Sequence, residues 1–391
     1  NDFAKAIIDK LVEFSFDEVF EEKYDFFATI FEYLIKDYNK DFGKYAEYYT
    51  PNSIARIIAK ILVPDTEKVR NVSIYDPAAG SGTLLLALAH EIGESDCTLY
   101  TQDISQKSNE FLRLNLILNN LVHSLDNVVH GNTLLNPAHL NKEENKLAQF
   151  DYIVSNPPFK TDFSDYRDKL EDDKYSDRFF AGVPNIPNTK KDSMAIYLLF
   201  IQHILYSLKD IGKAAIVVPT GFLTAQSGIE KRLREYMINN KYLRGVISMP
   251  SNIFATTGTN VSIIFIDKSI KSDRVFLMDA SNLGEKIKDG KNQRTILSKK
   301  EILKIESNFI DSIEEEDFSV LVSIDDIKEK NYSFSAGQYF EVKLEFSELT
   351  KEEFNSRVEE LNKDINELLS ANNKLITEVN NTIKDLLYEE S

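Results

Sequence analysis

A rigid corner follows a strand-like run near the middle of the sequence. The run FDYIVS is followed by Asn156, Pro157, Pro158 and Phe159. Two consecutive prolines restrict the backbone and remove two N–H donors, so the carbonyl groups beside them are held still. The Asn156 side chain and the Pro157 carbonyl could together accept both N–H hydrogens of a planar amino group and stabilise the positive charge that develops on its nitrogen. The corner predicts chemistry on such an amine, and a plain turn after an edge strand is the alternative.

A glycine turn earlier in the chain predicts a ligand site. In IYDPAAGSGT, Asp76 closes a strand, Gly80 and Gly82 permit a tight turn, and a helix begins near Thr83. Glycines at this place let a ligand approach the backbone at a helix N-terminus. No Lys-Ser/Thr pair follows, which excludes a P-loop, and the full dinucleotide fingerprint G-x-G-x-x-G is absent. A structural turn alone is the alternative.

Polar residues at the ends of the next two strands extend this site. Asp103 closes the second strand, where a carboxylate can accept hydrogen bonds from both ribose hydroxyls of a nucleoside. Asn132 follows the third strand and is placed to contact an adenine base. A sheet that binds a nucleoside without a grip on a pyrophosphate indicates S-adenosylmethionine. Tyr49 and Thr50 in EYYTPN could close over the methionine end of that cofactor, and Pro51 starts a helix at a favoured position.

Alternating strands and helices must position these residues. Strands are predicted at 71–76, 97–103, 127–131, 150–155, 213–219, 243–250 and 260–267. Helical patterns lie between several of them, which predicts an α/β fold with a mostly parallel sheet and helices on both faces. No convincing helix separates the last two strands, so the final strand is predicted to run antiparallel to its neighbours.

Four segments are predicted along the chain. They are a short N-terminal helical segment at 1–46, a domain of alternating strands and helices at 47–270, a mixed appendage at 271–346 and a C-terminal coiled-coil helix at 347–391. In the last segment Phe354, Leu361 and Leu368 recur every seven residues without Gly or Pro, which predicts a long helix that docks on a partner. A helix packed on its own domain is the alternative. The polar stretch 160–192 is predicted to be a functional lid or a mobile insertion.

Composition limits the functional class. The 391 residues carry a formal net charge of −17, which argues against a chain that binds nucleic acid unaided. A single cysteine, Cys97, excludes a disulfide framework and suits a reducing cytoplasm. The five histidines share no ligand spacing, so no metal site is predicted. No apolar run approaches the length of a membrane span, and the prediction is a cytoplasmic protein.

Together the motifs resemble a known family. DPAAGSG followed by NPPF is similar to the amino-methyltransferases, which move a methyl group from S-adenosylmethionine to an exocyclic amine. More narrowly, the chain resembles the modification (M) subunit of type I restriction–modification systems. The matching stretches are YYTP (48–51), DPAAGSG (76–82), NPPF (156–159), the polar segment 160–192, VPTG (218–221) and the C-terminal helix at 347–389.

The resemblance implies an adenine-specific DNA methyltransferase with a Rossmann-like methyltransferase sheet, and it makes 47–270 the methyltransferase catalytic domain. Asn156 and Pro157 would accept the hydrogens of the N6 amino group, and Phe159 would stack on an adenine swung out of double-stranded DNA. A specificity subunit would bind through the C-terminal helix, and a restriction subunit could join the larger complex. The implied catalytic residues are Asn156, Pro157 and Phe159, and the implied cofactor-binding residues are Tyr48, Tyr49, Thr50, Pro51, Asp76, Ala78, Gly80, Ser81, Gly82, Asp103, Asn132, Thr133, Asn156 and Pro158.

The chain departs from the family pattern at three places. Asn132 stands where the family usually carries Asp, and Ala79 stands where Cys is common. The helical part before YYTP is shorter than the family's, which predicts a truncated N-terminal segment. Three other functions stay open at this point: a stand-alone DNA adenine methyltransferase, a methyltransferase for a protein glutamine amide, and a scaffold without catalysis.

Overall fold

A computed structural model describes residues 50–64, 69–141, 146–254, 259–289, 292–340 and 350–388. The predicted N-terminal helical segment, together with Tyr48 and Tyr49, lies outside these described residues. The chain divides after Phe340 into two units. None of the helices in the described ranges combines the length and apolar composition that a membrane crossing requires.

One large sheet organises the first unit. Among the described residues, nine strands form it: β1 (Val72–Asp76), β2 (Cys97–Asp103), β3 (Val128–His130), β6 (Phe150–Ser155), β7 (Leu208–Pro219), β8 (Leu243–Ser248), β9 (Val261–Asp267), β10 (Arg274–Asp279) and β13 (Ser319–Ser323). Their order across the sheet is β13-β10-β8-β9-β7-β6-β1-β2-β3. Strands β3, β2, β1, β6 and β7 are parallel, whereas β9 runs antiparallel to both β7 and β8. The predicted direction of the last strand is confirmed.

Two small antiparallel pairs lie beside the large sheet. The first joins β4 (Leu140–Asn141) to β5 (Lys146–Leu147), and the second joins β11 (Glu285–Asp289) to β12 (Asn292–Ile296). The segment predicted as a mixed appendage does more than add such a hairpin. Its strand β10 pairs in parallel with β8, and β13 pairs with β10, so this segment extends the large sheet by hydrogen bonding to the edge of β8.

Helices cover both faces of the sheet. They are α1 (Asn52–Leu62), α2 (Thr83–Ile92), α3 (Gln106–Leu118), α4 (Arg167–Leu170), α5 (Tyr197–Ser207), α6 (Gly228–Asn239), α7 (Lys299–Ile310) and α8 (Ile324–Glu329). Side chains of β7 alternate between the two apolar layers: Ala215 and Val217 join the layer of α1, α2 and α7, whereas Ile216 joins the layer of α5, α6 and α8. A strand buried on both faces is typical of a sheet enclosed by helices. The predicted α/β class is confirmed.

The polar stretch between β6 and α5 is packed against the domain. Its side chains Phe163, Leu170 and Phe179 are buried in a third apolar cluster with Leu199 and Phe200 of α5. These few apolar residues are spread among many charged ones, so the sequence shows no periodicity. The stretch therefore forms a folded layer over α5. This packing differs from the predicted mobile insertion, and the predicted functional lid stays a prediction.

The described part of the second unit forms one long helix, α9 (Lys351–Tyr388), of 38 residues. At about 1.5 Å per residue it measures roughly 57 Å. A reciprocal pair of hydrogen bonds begins it, because the Thr350 hydroxyl accepts from the Glu353 N–H and the Glu353 carboxylate accepts from Thr350. Phe354, Leu361 and Leu368 are 57%, 56% and 70% exposed, so the predicted apolar seam is a surface of this helix.

Candidate cofactor and substrate site

Parallel strands bring the predicted residues to one edge of the sheet. The carboxyl ends of β1, β2, β3 and β6 meet there because these four strands run in the same direction. A cavity of about 260 Å³ opens at this edge. Its volume far exceeds the roughly 30 Å³ that one water molecule occupies in the liquid, so the cavity can hold a small organic ligand. The predicted site residues that line it are Ala78, Gly80, Asp103, Asn132, Thr133, Asn156 and Pro158.

Asp103 organises one wall of the cavity. Its Oδ2 accepts the Gly80 N–H at 2.9 Å, and its Oδ1 accepts the Ser105 N–H at 2.7 Å. Burial raises the pKa of the Asp103 carboxyl, although these two hydrogen bonds act in the opposite direction. Each carboxylate oxygen has a second acceptor site, so Asp103 can still receive two hydroxyl groups of a ligand. The same side chain therefore shapes the glycine turn and offers acceptors to the cavity.

Asp76 lies behind the cavity. Its Oδ1 accepts the Ala78 N–H at 2.9 Å and the Ser155 hydroxyl at 2.9 Å. The side chain is buried, and burial raises the pKa of the Asp76 carboxyl to about 7. Because Ser155 directly precedes Asn156, this hydrogen bond ties the glycine turn to the Asn-Pro-Pro corner. Asp76 thus links the two motifs across the sheet.

Asn156 lines the cavity at the end of β6. Its Nδ2 donates to the Thr50 hydroxyl at 3.1 Å, and Thr50 is buried. Phe159 is half-buried between the two main apolar layers, with its ring edge-on to Tyr197 at a centroid distance of 6.3 Å. A stacking role of Phe159 on a substrate ring stays a prediction.

The turn after β3 has its own internal bonds. Asn132 Oδ1 accepts the N–H groups of Leu134 and Leu135 at 3.0 and 3.1 Å. Thr133 donates from its hydroxyl to the Pro77 carbonyl at 2.7 Å. Asn132 therefore stabilises the turn after β3 through its Oδ1, while the Thr133 hydroxyl stabilises the glycine turn through the Pro77 carbonyl.

Several predicted residues lie near the cavity without lining it. These are Thr50, Pro51, Asp76, Ser81, Gly82, Pro157 and Phe159. Gly82 has a clear reason to be glycine: its φ is +87°, and an added Cβ would stand 2.3 Å from Leu112 Cδ1. It shapes the start of α2 so that Gly80 can approach a ligand.

The structure adds lining residues that sequence reasoning missed. Ile104 is 69% exposed directly after Asp103 and offers an apolar face beside the carboxylate. Its sequence signal was available, since an apolar residue follows the acidic strand end. Thr161 and Tyr166 come from the polar stretch, and Phe200 comes from α5. Nothing in their local sequence indicates a ligand, because only the folding of that stretch over α5 brings them to the cavity.

The family model for N-6 DNA methylases matches residues 22–348. The chain belongs to this family. The type I restriction enzyme MpnII methylase subunit of Mycoplasma pneumoniae is 33% identical over 363 residues, which span 90% of this N-6 DNA methylase and 63% of the relative. The MjaIX methylase subunit of Methanocaldococcus jannaschii is 28% identical, over 87% of this chain and 60% of its own. The resemblance drawn from the motifs is thus confirmed.

A solved structure supports the same placement of this N-6 DNA methylase. The type I restriction-modification system methyltransferase subunit from Streptococcus thermophilus is 25% identical, with a TM-score of 0.64. The superposition covers 75% of this chain and 60% of that one. The chain therefore spans less than two thirds of the length of these relatives.

Proposed function

We propose that this N-6 DNA methylase transfers a methyl group from S-adenosylmethionine to the N6 amino group of adenine in DNA, as the modification subunit of a type I restriction–modification system. The observation that carries the proposal is that Asn156 and Asp103 line one cavity. An acceptor for an amine and acceptors for a nucleoside thus lie within reach of a single bound ligand. Methyl transfer requires this proximity of the two reactants.

The residues of the cavity suit S-adenosylmethionine. Asp103 offers two free acceptor positions for the ribose hydroxyls, and Ile104 offers an apolar surface for the base. Among the described residues that line the cavity there is no Lys or Arg, so it lacks the cations that hold a phosphate. The Asp76 and Asp103 carboxylates favour a cationic ligand instead. When bound, this cofactor supplies a methyl group activated by a sulfonium.

The Asn-Pro-Pro corner would act on the amine by electrostatics. An adenine N6 nitrogen is a poor nucleophile because its lone pair is delocalised into the ring. Asn156 Oδ1 and the Pro157 carbonyl would accept its two hydrogens and stabilise the positive charge that develops on nitrogen. An amide suits this role better than a carboxylate, because no charge needs to be buried. The adenine must leave the duplex to reach the corner, since its amino group is otherwise paired.

A labelled-methyl assay tests the proposal. The full chain is incubated with S-adenosylmethionine labelled in its methyl group and with plasmid DNA, with and without a specificity subunit of a type I system. We expect label at adenine N6 when both subunits are present. Label without the second subunit indicates a stand-alone methyltransferase, and label on protein glutamine indicates the other amide-directed class. Absence of S-adenosylmethionine binding by calorimetry would contradict every catalytic version and favour a scaffold.

The long helix α9 supports dependence on a partner. Its apolar seam is exposed over most of its length, and the chain's net charge of −17 disfavours DNA binding without help. We propose that the seam docks on helices of the specificity subunit, which would choose the DNA sequence. A coiled-coil seam of this length needs an apolar surface of equal length.

Deleting residues 347–391 should abolish binding to the specificity subunit and preserve binding of the cofactor. The deletion falls within the second unit, so the sheet and the cavity stay intact. We expect unchanged S-adenosylmethionine affinity by calorimetry and loss of co-purification with the specificity subunit. A complex that survives the deletion would assign the apolar seam to another purpose. Replacing three exposed charged residues of the helix, Glu359, Lys363 and Glu367, with Gln is a matched control that leaves the seam in place.

Cofactor affinity should depend on the ionisation of Asp76. Its pKa of about 7 means that the carboxyl is mostly neutral at pH 6 and mostly ionised at pH 8. An ionised carboxylate attracts a cation, so affinity for S-adenosylmethionine should rise several-fold over this range. Asp76→Asn keeps an oxygen for Ala78 and Ser155 and should flatten this rise in calorimetry. An equally steep rise in the variant would assign the titration to another group.

A further inference from the structure

The two ends of the Asn156 amide have nearly the same shape and opposite hydrogen-bonding roles. The oxygen can only accept and the NH₂ group can only donate. Under the proposed function the substrate amine presents two N–H donors, so the amide must direct its oxygen toward the cavity. A rotation of about 180° about the last side-chain bond would place NH₂ against NH₂ and remove the acceptor. Something in the protein must favour the productive orientation.

The structure provides a partner for the rear of this amide. Asn156 Nδ2 donates to the Thr50 hydroxyl at 3.1 Å, and this is a contact between residues 106 positions apart. Asn156 lines the cavity whereas Thr50 does not. The nitrogen end thus faces away from the cavity, and Oδ1 is the end left for the substrate. With an amine bound in front and the hydroxyl behind, both ends of the amide are satisfied.

Thr50 stands on a rigid support. It precedes Pro51, whose carbonyl accepts the N–H groups of Ile54 and Ala55 and so begins α1. That helix is buried between α2 and α7, and Ile54, Ala55 and Ile58 have no exposed surface. Thr50 itself is 5% exposed. The Thr50 hydroxyl oxygen is therefore held at a fixed place, where it accepts from Asn156 Nδ2.

We propose that Thr50 is a positioning residue, which holds the Asn156 amide with its oxygen toward the substrate amine. The inference rests on the proposed function for the identity of the substrate, but the orientation of the amide is a property of the free protein. In this role Thr50 supports Asn156, whose oxygen accepts from the amine, whereas the sequence predicts Thr50 over the methionine end of the cofactor.

Two substitutions separate the hydroxyl from the shape of Thr50. Thr50→Val keeps the branched shape and removes the acceptor, while Thr50→Ser keeps the hydroxyl. We expect Thr50→Val to lower kcat for DNA methylation by about 10-fold or more, because the half-buried Nδ2 donor of Asn156 loses its partner. The KM and the calorimetric Kd for S-adenosylmethionine should stay within about twofold, since the cofactor contacts are untouched. Thr50→Ser should restore most of kcat.

A control variant and a double variant show which kinetic results would contradict the positioning role of Thr50. Thr98→Val, a half-exposed threonine of β2 outside the site, controls for the loss of a hydroxyl in general. Wild-type kcat in Thr50→Val, or equal losses in the Val and Ser variants, would overturn the positioning role. A parallel loss of cofactor affinity would instead make Thr50 a cofactor contact. In an Asn156→Ala background, Thr50→Val should have no further effect on kcat.

A spectroscopic readout keeps the proposal testable even without activity. The Asn156 side-chain amide resonance is identified by its disappearance in Asn156→Ala. In the free protein one of its N–H hydrogens should exchange slowly with water, and Thr50→Val should accelerate that exchange about 10-fold or more, since it removes the acceptor. Unchanged exchange overturns the positioning role. Wild-type protein that neither binds S-adenosylmethionine nor methylates DNA would refute the proposed function alone, because the exchange measurement does not depend on it.

Discussion

Asn156→Ala should lower kcat for DNA methylation by about 100- to 1,000-fold, which is the usual cost of removing one preorganised electrostatic contact at a reacting atom. The variant keeps the Pro157 carbonyl, but a single acceptor leaves one amine hydrogen without a partner and the nitrogen closer to planar. Affinity for S-adenosylmethionine should change by no more than a few-fold, because the Asp103 wall is intact. The measurement is methyl transfer to DNA with the specificity subunit present, together with calorimetry on the free chain.

A second asparagine provides the control for Asn156→Ala. Asn119 is a half-exposed amide at the end of α3, where it donates to the Asn115 carbonyl. Asn119→Ala should leave kcat unchanged and cost only a little stability. Undiminished methylation by Asn156→Ala would remove the electrostatic mechanism. A large loss of cofactor affinity in that variant would show that Asn156 holds the cofactor more than the amine.

Asp103→Ala should weaken S-adenosylmethionine binding by at least about 100-fold, since each hydrogen bond to a charged acceptor contributes roughly 1.5–3 kcal/mol and two ribose hydroxyls would lose theirs. The variant also frees the Gly80 and Ser105 N–H groups, whose acceptor is this carboxylate. The glycine turn then loses part of its support, which adds to the loss. Calorimetry of the free chain measures the effect, and kcat at saturating cofactor should fall far less than affinity.

Asp103→Asn removes the charge of this side chain and keeps its shape. It keeps one oxygen, but its NH₂ group would face a backbone N–H that now has no acceptor. We expect an affinity between those of the wild type and Asp103→Ala. Unchanged affinity in both variants would mean that a ligand does not use this wall of the cavity. A lower melting temperature without weaker binding would leave Asp103 with its structural role only.

Some of the site was open to prediction because parallel strands impose a simple rule. Residues that follow consecutive parallel strands meet at one edge, whatever the rest of the fold does. This rule predicts Asp103 and Asn132, the stiff proline corner predicts Asn156, and all three line the cavity. The same rule cannot tell a residue that faces a ligand from one that supports it. Asp76 and Thr133 share that edge, yet their hydrogen bonds go to the protein.

Other members of the site could not be read from local sequence. Tyr166 lies in a stretch with no periodicity, and its position depends on a few buried residues such as Phe163 and Phe179 that pack over α5. The strand β10 similarly joins the sheet through the edge of β8. Both outcomes depend on which surfaces are left uncovered by the rest of the fold, and such surfaces exist only after the main layers have assembled.

Local sequence sets the chemistry of the groups and the order of the elements. Two prolines stiffen the corner, glycine permits the turn at Gly82, and apolar alternation sets the strands, because each of these effects acts within a few residues of the chain. Which of these groups meet depends on the folded chain. The Thr50 hydroxyl reaches Asn156 across 106 residues, and Ser155 reaches Asp76 across 79. Such contacts depend on strand register and on the packing of α1 against its neighbours, which no local pattern encodes.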